Sequence, residues 1–354
     1  MYNTLNYLSI TLFVIISAKL IFKKKSVSEA SRTKEIVSEA SRTKEIVSKA
    51  SRTKNLNKTN QLAKQVDKNN QLYSLNIDKI KKITKKISIS RQIDTLNLNK
   101  VKNYIMSLLN NKMDTIEQKF TQILHKRLYN LSNIIAYNKY SNSSEYILLS
   151  AHIDSYKNIE CALDSATSIA IIINIANKIL QINPSFPLMI VFFDGEESID
   201  DKWTRNDSLL GSQYFVNTLT SLLEQIDINK STLDKSTLDK STIKIAYILD
   251  LIGGDLTKTI SAFSNNPSAN NIINHMHMIN KNYENELFIS TKKYISERIV
   301  YDDHLPFQEQ NINYVHLIPY NFPNNHHKIE DNYENLNWKY IEIFTNVLFN
   351  HLII

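Results

Sequence analysis

Hydrophobic and polar positions change period several times along this chain, and each change predicts an element. Residues 75–112 carry apolar side chains at helical spacing and predict one or two helices. Residues 115–138 alternate loosely and predict a hairpin. From residue 145 the apolar runs become continuous. EYILLSAH (145–152), FPLMIVFF (186–193), IKIAYILD (243–250) and NYVHLI (313–318) have no wet face and predict buried strands. Residues 164–181 are apolar nearly all round, through Ile169, Ile172, Ile173, Ala176, Ile179 and Leu180, and predict a buried helix. A helix is expected over 207–225. Another is expected over 334–352, with Leu336, Tyr340, Phe344, Leu348 and Leu352 on one face. Buried strands alternating with helices predict an α/β fold: one globular domain with a central mixed, largely parallel sheet flanked by helices.

Before residue 71 the pattern is different. Residues 5–22 (LNYLSITLFVIISAKLIF) are apolar apart from Asn6, a few hydroxyls and Lys19, and three lysines follow. About 18 residues is near the lower limit for a membrane-spanning helix. There is no basic stretch before it and no small-residue cleavage site, so residues 1–25 read as an uncleaved membrane anchor. Residues 26–54 repeat VSEASRTKEI with variation. This is a polar decamer that cannot bury a core, so 26–70 reads as a solvated linker. The folded domain is then 71–354. A second repeat, KSTLDKSTLDKST at 230–242, interrupts it as a surface loop expansion.

Composition changes this picture little. At 354 residues with 42% hydrophobic content, the chain is long enough for one large domain. The net charge of +7 invites a nucleic-acid reading, but much of the excess lies before residue 105, in runs such as Lys23-Lys24-Lys25 and Lys81-Lys82. A tail is not a basic stripe on a folded face, so nucleic acid is not an expected partner. The single cysteine, Cys161, excludes an intramolecular disulfide and a cysteine-rich metal motif.

Polar residues gather where the predicted strands end. His152-Ile153-Asp154 closes the first and Asp194-Gly195-Glu196-Glu197 the second. Asp250 closes the third, and His326-His327 follows the fourth; Asp164-Ser165 opens the apolar helix. Ligands of open α/β sheets bind outside the carboxyl ends of strands. Taken singly these residues have plain explanations, such as a structural histidine or a helix cap. Adjacent Glu196 and Glu197 repel each other unless a cation or a proton intervenes. Five segments delivering carboxylates or imidazoles to one edge is the distribution of a metal site assembled from loops.

These segments resemble the zinc aminopeptidase-like hydrolases and, within them, the animal-type glutaminyl cyclases. The resemblance runs over about residues 75–354. It is carried by His152–Ser155, Leu163–Ala166, Phe192–Glu197, Trp203, Asp207–Ser212, Leu249–Gly253, Asp302–Phe307, His316–Pro319 and Asp331–Leu336. It implies one zinc ion per chain held by Asp164, Glu197 and His327, the histidine that keeps the family spacing after Phe322-Pro323. It implies Glu196 as general acid/base, with Asp250 and Asp302 as hydrogen-bonded partners sharing a proton. It places Trp203, Phe322, His326 and His152 at the substrate. The implied reaction converts N-terminal glutamine, and by extension glutamate, of peptides or proteins to pyroglutamate. The catalytic domain is expected to be monomeric and the chain to be membrane-anchored in the secretory pathway, although the lysines after the hydrophobic segment argue for a cytoplasmic side.

Three departures stand out. His326 occupies the place of a family tryptophan. The loop from Glu197 to Trp203 is one residue longer. The disulfide of secreted members cannot form with Cys161 alone. The competing enzyme on this fold is an aminopeptidase with a second metal on His152 and Asp250. Against it, Asp302-Asp303-His304 stands where aminopeptidases carry Ser-Asp-His. A catalytically dead binding module is disfavoured because the carboxylate set is complete.

Overall fold

The computed structural model describes residues 72–354, apart from 142, 144, 201–202, 228–241, 255–259, 264–268, 284–299 and 320. The predicted anchor at 1–25, the linker at 26–70 and nearly all of the 230–242 insertion lie outside the described residues.

Among the described residues two helices come first, α1 (Ile77–Ile87) and α2 (Leu96–Leu109), followed by the hairpin β1 (Asp114–Leu124) and β2 (Arg127–Tyr137). Asn76 and Thr95 cap the two helices by accepting from the backbone N–H of Asp78 and Leu98. Then follow β3 (Tyr146–His152), α3 (Thr167–Ile182), β4 (Leu188–Phe193), α4 (Leu210–Asn217) and α5 (Leu219–Asp227). The chain continues through β5 (Ile243–Leu249), β6 (Ile260–Phe263), α6 (Ala269–Asn280), α7 (His304–Glu309), β7 (Tyr314–Pro319) and α8 (Trp338–Ile353).

Among the described residues the strands form one seven-stranded sheet in the order β1-β2-β4-β3-β5-β7-β6. The central four, β4-β3-β5-β7, are parallel; β1, β2 and β6 add antiparallel edges. The predicted parallel character therefore belongs to the centre, where the continuous apolar runs are.

Successive strand residues face opposite layers. Ile134, Ala136, Leu149 and Phe192 pack with α1, α2, α3 and α8. Ile135, Leu148, Val191 and Ile248 pack with α4, α5 and Phe307 of α7. Helix α3 explains its all-round apolarity by position: Ile169 to Ile173 are all fully buried. With the turn before it, Ala162–Ile182 is long and apolar enough to cross a membrane, but 78% of its apolar window is buried inside the domain, so it is a core helix. Helix α8 is also buried beyond its predicted stripe, through Ile341, Val347 and Phe349.

Candidate active site

Strand register brings the chemistry together. His152 pairs with Phe193 across β3 and β4, and the Ile153 N–H donates to the Phe193 carbonyl at 2.7 Å. The His152–Asp154 and Asp194–Glu197 segments therefore leave the sheet side by side. Asp154 then accepts from the backbone N–H of both Glu196 and Glu197, at 3.1 Å each, and fixes the turn that presents them. That turn begins at Gly195, where φ is +76° and an added Cβ would lie 2.7 Å from Leu131. Only glycine fits there without strain.

Asp164 does not cap α3. It sits with Ser165 in a wide turn, Ala162–Ala166, with non-helical angles, and no side chain caps the helix that follows. The turn aims the carboxylate inward. Its Oδ1 meets His152 Nε2 at 2.8 Å, and its Oδ2 lies 3.4 Å from His327 Nε2 and 3.6 Å from His326 Nε2. His327 Nε2 is also 3.2 Å from Glu197 Oε2. Neither Asp164 Oδ2 nor either Glu197 oxygen has a hydrogen-bond partner, although all are buried. Carboxylate oxygens of Asp164 and Glu197 without hydrogen-bond partners, converging on one imidazole nitrogen, are a donor set that fits a divalent cation. Left-handed backbone at Cys161, Leu209, Leu251 and His327 falls in the segments bordering this cluster. Such conformations gather where surrounding structure enforces a functional geometry.

Glu196, Asp250 and Asp302 face a cavity of ≈ 240 Å³, whose walls include Trp203, Val300, Tyr301, Phe322, His326 and His327. Burial, followed by the charges of Glu197, Asp302 and Asp303, pushes the Glu196 carboxyl well above the usual range, against the pull of His152. Burial and the charges of Asp302 and Asp164 raise Asp250 to about 7. Burial would raise Asp302 too, but His316, 2.9 Å away, overrides it and holds Asp302 at about 2. The two carboxyls thus differ: Asp302 is held low by His316, while burial and its neighbours' charges raise Asp250. Burial and the Asp164 charge bring Glu197 to about 8, while burial of His327 is outweighed by Asp164 and Glu197, which lift it to about 10.

His152 departs from its predicted place at the substrate. It is buried among Asp154, Asp164 and Asp250, with Asp250 Oδ1 3.4 Å from its Nε2, and is not among the residues lining the cavity. Its strand-end position points it down at the carboxylates instead. His326 does line the cavity, edge-on to Phe322 with ring centroids 5.0 Å apart. Three neighbours escaped the sequence reading as site residues. Tyr156 stacks on His327 at 3.9 Å, Asp154 holds the Glu196 and Glu197 backbone, and His316 pairs with Asp302. Asp154 and His316 lie within motif segments, which was their one signal; Tyr156 carried none.

The profile of peptidase family M28 matches residues 133–352, more than half the chain and every segment described above except the first helices and hairpin strand. The chain belongs to peptidase family M28. Among curated relatives, this M28 chain is 31% identical over 222 residues to a glutaminyl-peptide cyclotransferase of Dictyostelium discoideum, covering 58% of this chain and 59% of that enzyme. It thus spans little more than half the length of that relative. Among solved structures it is similar to a glutaminyl cyclase of Macrostomum lignano, with a TM-score of 0.67 at 21% identity, covering 78% of this chain and 88% of that one. It is similar also to a Zn-dependent exopeptidase of Parabacteroides distasonis, with a TM-score of 0.62 at 18% identity, covering 80% and 99%. At these identities the structural likeness establishes the M28 fold.

Proposed function

We propose that this M28 chain cyclises N-terminal glutamine of peptides or proteins to pyroglutamate, releasing ammonia, with one zinc ion held by Asp164, Glu197 and His327. The observation that carries this reading is a three-donor cluster, two of whose members, Asp164 and His327, line the same small cavity as a separate carboxylate group, Glu196, Asp250 and Asp302.

Cyclisation joins the α-amine to the γ-carbonyl of the same residue, so proximity is built into the substrate. What remains is a poor electrophile and a poor leaving group. A zinc ion bound there would polarise the γ-carbonyl and balance the local negative charge. Glu196 takes the proton from the attacking amine and returns it to the departing ammonia. Its raised pKa suits both halves of that transfer. Protonated Asp250 donates to the amide while ionised Asp302 receives from it, which orients the γ-amide for attack. Trp203, Phe322 and His326 supply the walls, and a small cavity favours a single terminal side chain over an extended segment.

A two-metal aminopeptidase is the second reading. It has one specific support: ligand atoms of His152, Asp164 and Asp250 lie within 4.8 Å of one another. The 2.8 Å bond from His152 to Asp164 weighs against it, because it already occupies the nitrogen a second ion would use. Dipeptides beginning with glutamine and with leucine separate the two readings. A cyclised product and ammonia are expected from the first and no turnover of the second. Release of free leucine would contradict the cyclase. Anchoring to a membrane through residues 5–22, and residence in the secretory pathway, belong to the same proposal and rest on the apolar composition of that segment.

A further inference from the structure

Arg91 lies between α1 and α2, far in sequence from every residue of the site, and is fully buried. A buried guanidinium needs all its donors satisfied. Here five hydrogen bonds do so, and each goes to a backbone carbonyl. Nε donates to Ile153 at 2.8 Å. One terminal nitrogen donates to Glu160 at 2.6 Å and Ile89 at 3.3 Å. The other donates to Cys161 at 3.1 Å and Asp164 at 3.4 Å. The Arg91 backbone N–H adds a bond to Ser155 Oγ at 2.8 Å.

Four of the five carbonyls belong to one loop, residues 153–164, gripped at both ends. Ile153 stands between His152, which bonds Asp164, and Asp154, which holds the backbone of Glu196 and Glu197. At the other end, Cys161 is left-handed and Asp164 stands in a non-helical turn; the Cys161 carbonyl accepts from the Ala166 N–H at 3.3 Å as well as from Arg91. Asp331 steadies the same turn by accepting from the Leu163 N–H at 2.7 Å.

We infer that Arg91 is a positioning residue: by clamping the 153–164 loop at both ends, it sets where the Asp164 carboxylate stands and thereby how tightly the Asp164, Glu197 and His327 cluster holds its metal. The inference rests on the reading of that cluster as the zinc site. A lysine keeps the charge but offers three donors from a single point, so it cannot bridge carbonyls at both ends of the loop.

The test measures the zinc dissociation constant of the full chain by chelator competition, in wild type, Arg91→Lys and His327→Gln, together with thermal midpoints and kcat and KM for a glutamine dipeptide. Arg91→Lys is expected to weaken zinc roughly 10–100-fold, the usual effect of losing an outer partner of a metal ligand. KM at saturating zinc should change little. A purely structural role would lower the thermal midpoint and leave zinc affinity at the wild-type value; that result overturns the inference. Equal zinc affinity in wild type and His327→Gln would instead refute the zinc site itself, and the inference with it. Should Arg91→Lys fail to fold, Ser155→Ala frees the Arg91 backbone from the loop at smaller cost. Several-fold weaker zinc binding is expected there, and wild-type affinity would again overturn the inference.

Discussion

Glu196 and Glu197 are neighbours in sequence to which the proposed function gives different tasks, and the backbone separates them. Asp154 holds both N–H groups, so one side chain turns to the cavity and the other to His327. Replacing Glu196 with glutamine should leave the fold and the metal cluster intact and lower kcat by about 10²–10⁴-fold, the range for loss of a general acid/base. Steady-state kinetics on a glutamine dipeptide check this, and a fall of less than about tenfold would remove Glu196 from the proton transfer. Gly195→Ala should destabilise by roughly 1–3 kcal/mol, because φ is +76° and the new methyl meets Leu131; denaturant melts check it. At this scale the sequence was readable where a polar residue breaks an apolar run. His152, Asp164, Glu196, Glu197 and Asp250 announce themselves by sitting at the ends of buried segments. Arg91, Tyr156 and His316 do not, because their meaning lies in partners the sequence leaves unmarked: loop carbonyls distant in the chain, a ring packed face to face, and a carboxylate on another element.

Elements were legible in proportion to their apolar content. The four central strands and α3 read directly from continuous apolar runs. Strand β6 and helix α6 are absent from the expected elements: β6 spans four residues, too few to show a period, while α6 does carry Ile272, Ile273, Met276 and Ile279 at helical spacing among its asparagines. Helix α7 spans six residues with Pro306 inside, too short for any period to show. The single helix expected over 207–225 is two, α4 and α5, divided at Thr218, whose Oγ1 accepts from Gln118 on β1. Ile173→Ala in α3 should cost about 2–5 kcal/mol, the penalty for emptying a fully buried site, measurable by urea unfolding. Helices α6 and α8 meet through His275 and His351, whose Nδ1 atoms are 2.9 Å apart, while His351 Nε2 meets the Tyr247 hydroxyl at 2.9 Å. Burial, then the neighbouring His275, presses His351 down to about 3 from 6.5. The folded state therefore binds fewer protons than the unfolded one. The stability this group contributes is present above about pH 6.5 and lost as pH falls towards 3. Thermal melts across that window should fall less steeply for His351→Gln than for wild type; parallel curves would contradict the assignment.

For the molecule as a whole, the first described residues are tied to the last helix. The Tyr73 N–H donates to Asn350 Oδ1 at 2.9 Å, Asn350 Nδ2 donates back to the Tyr73 carbonyl at 2.8 Å, and the Leu75 N–H donates to Asn346. A fragment of residues 72–354 should accordingly melt cooperatively, and one shortened to begin at Ile77 should melt several degrees lower, as differential scanning calorimetry would show. The domain layout predicted for the rest of the chain concerns residues outside those described. The site itself depends on the central parallel strands, because its groups come from the ends of β3, β4 and β5, the turn before α3, the residues before α7 and the loop after β7. The most direct measurement of what that assembly does is ammonia release from a glutamine-initiated dipeptide, with the product's mass followed before chelation, after it, and on return of zinc. Ammonia with a cyclised, otherwise intact dipeptide, lost on chelation and restored by zinc, is the expected result. Free glutamine in place of the cyclised product, or release untouched by chelation, would contradict it.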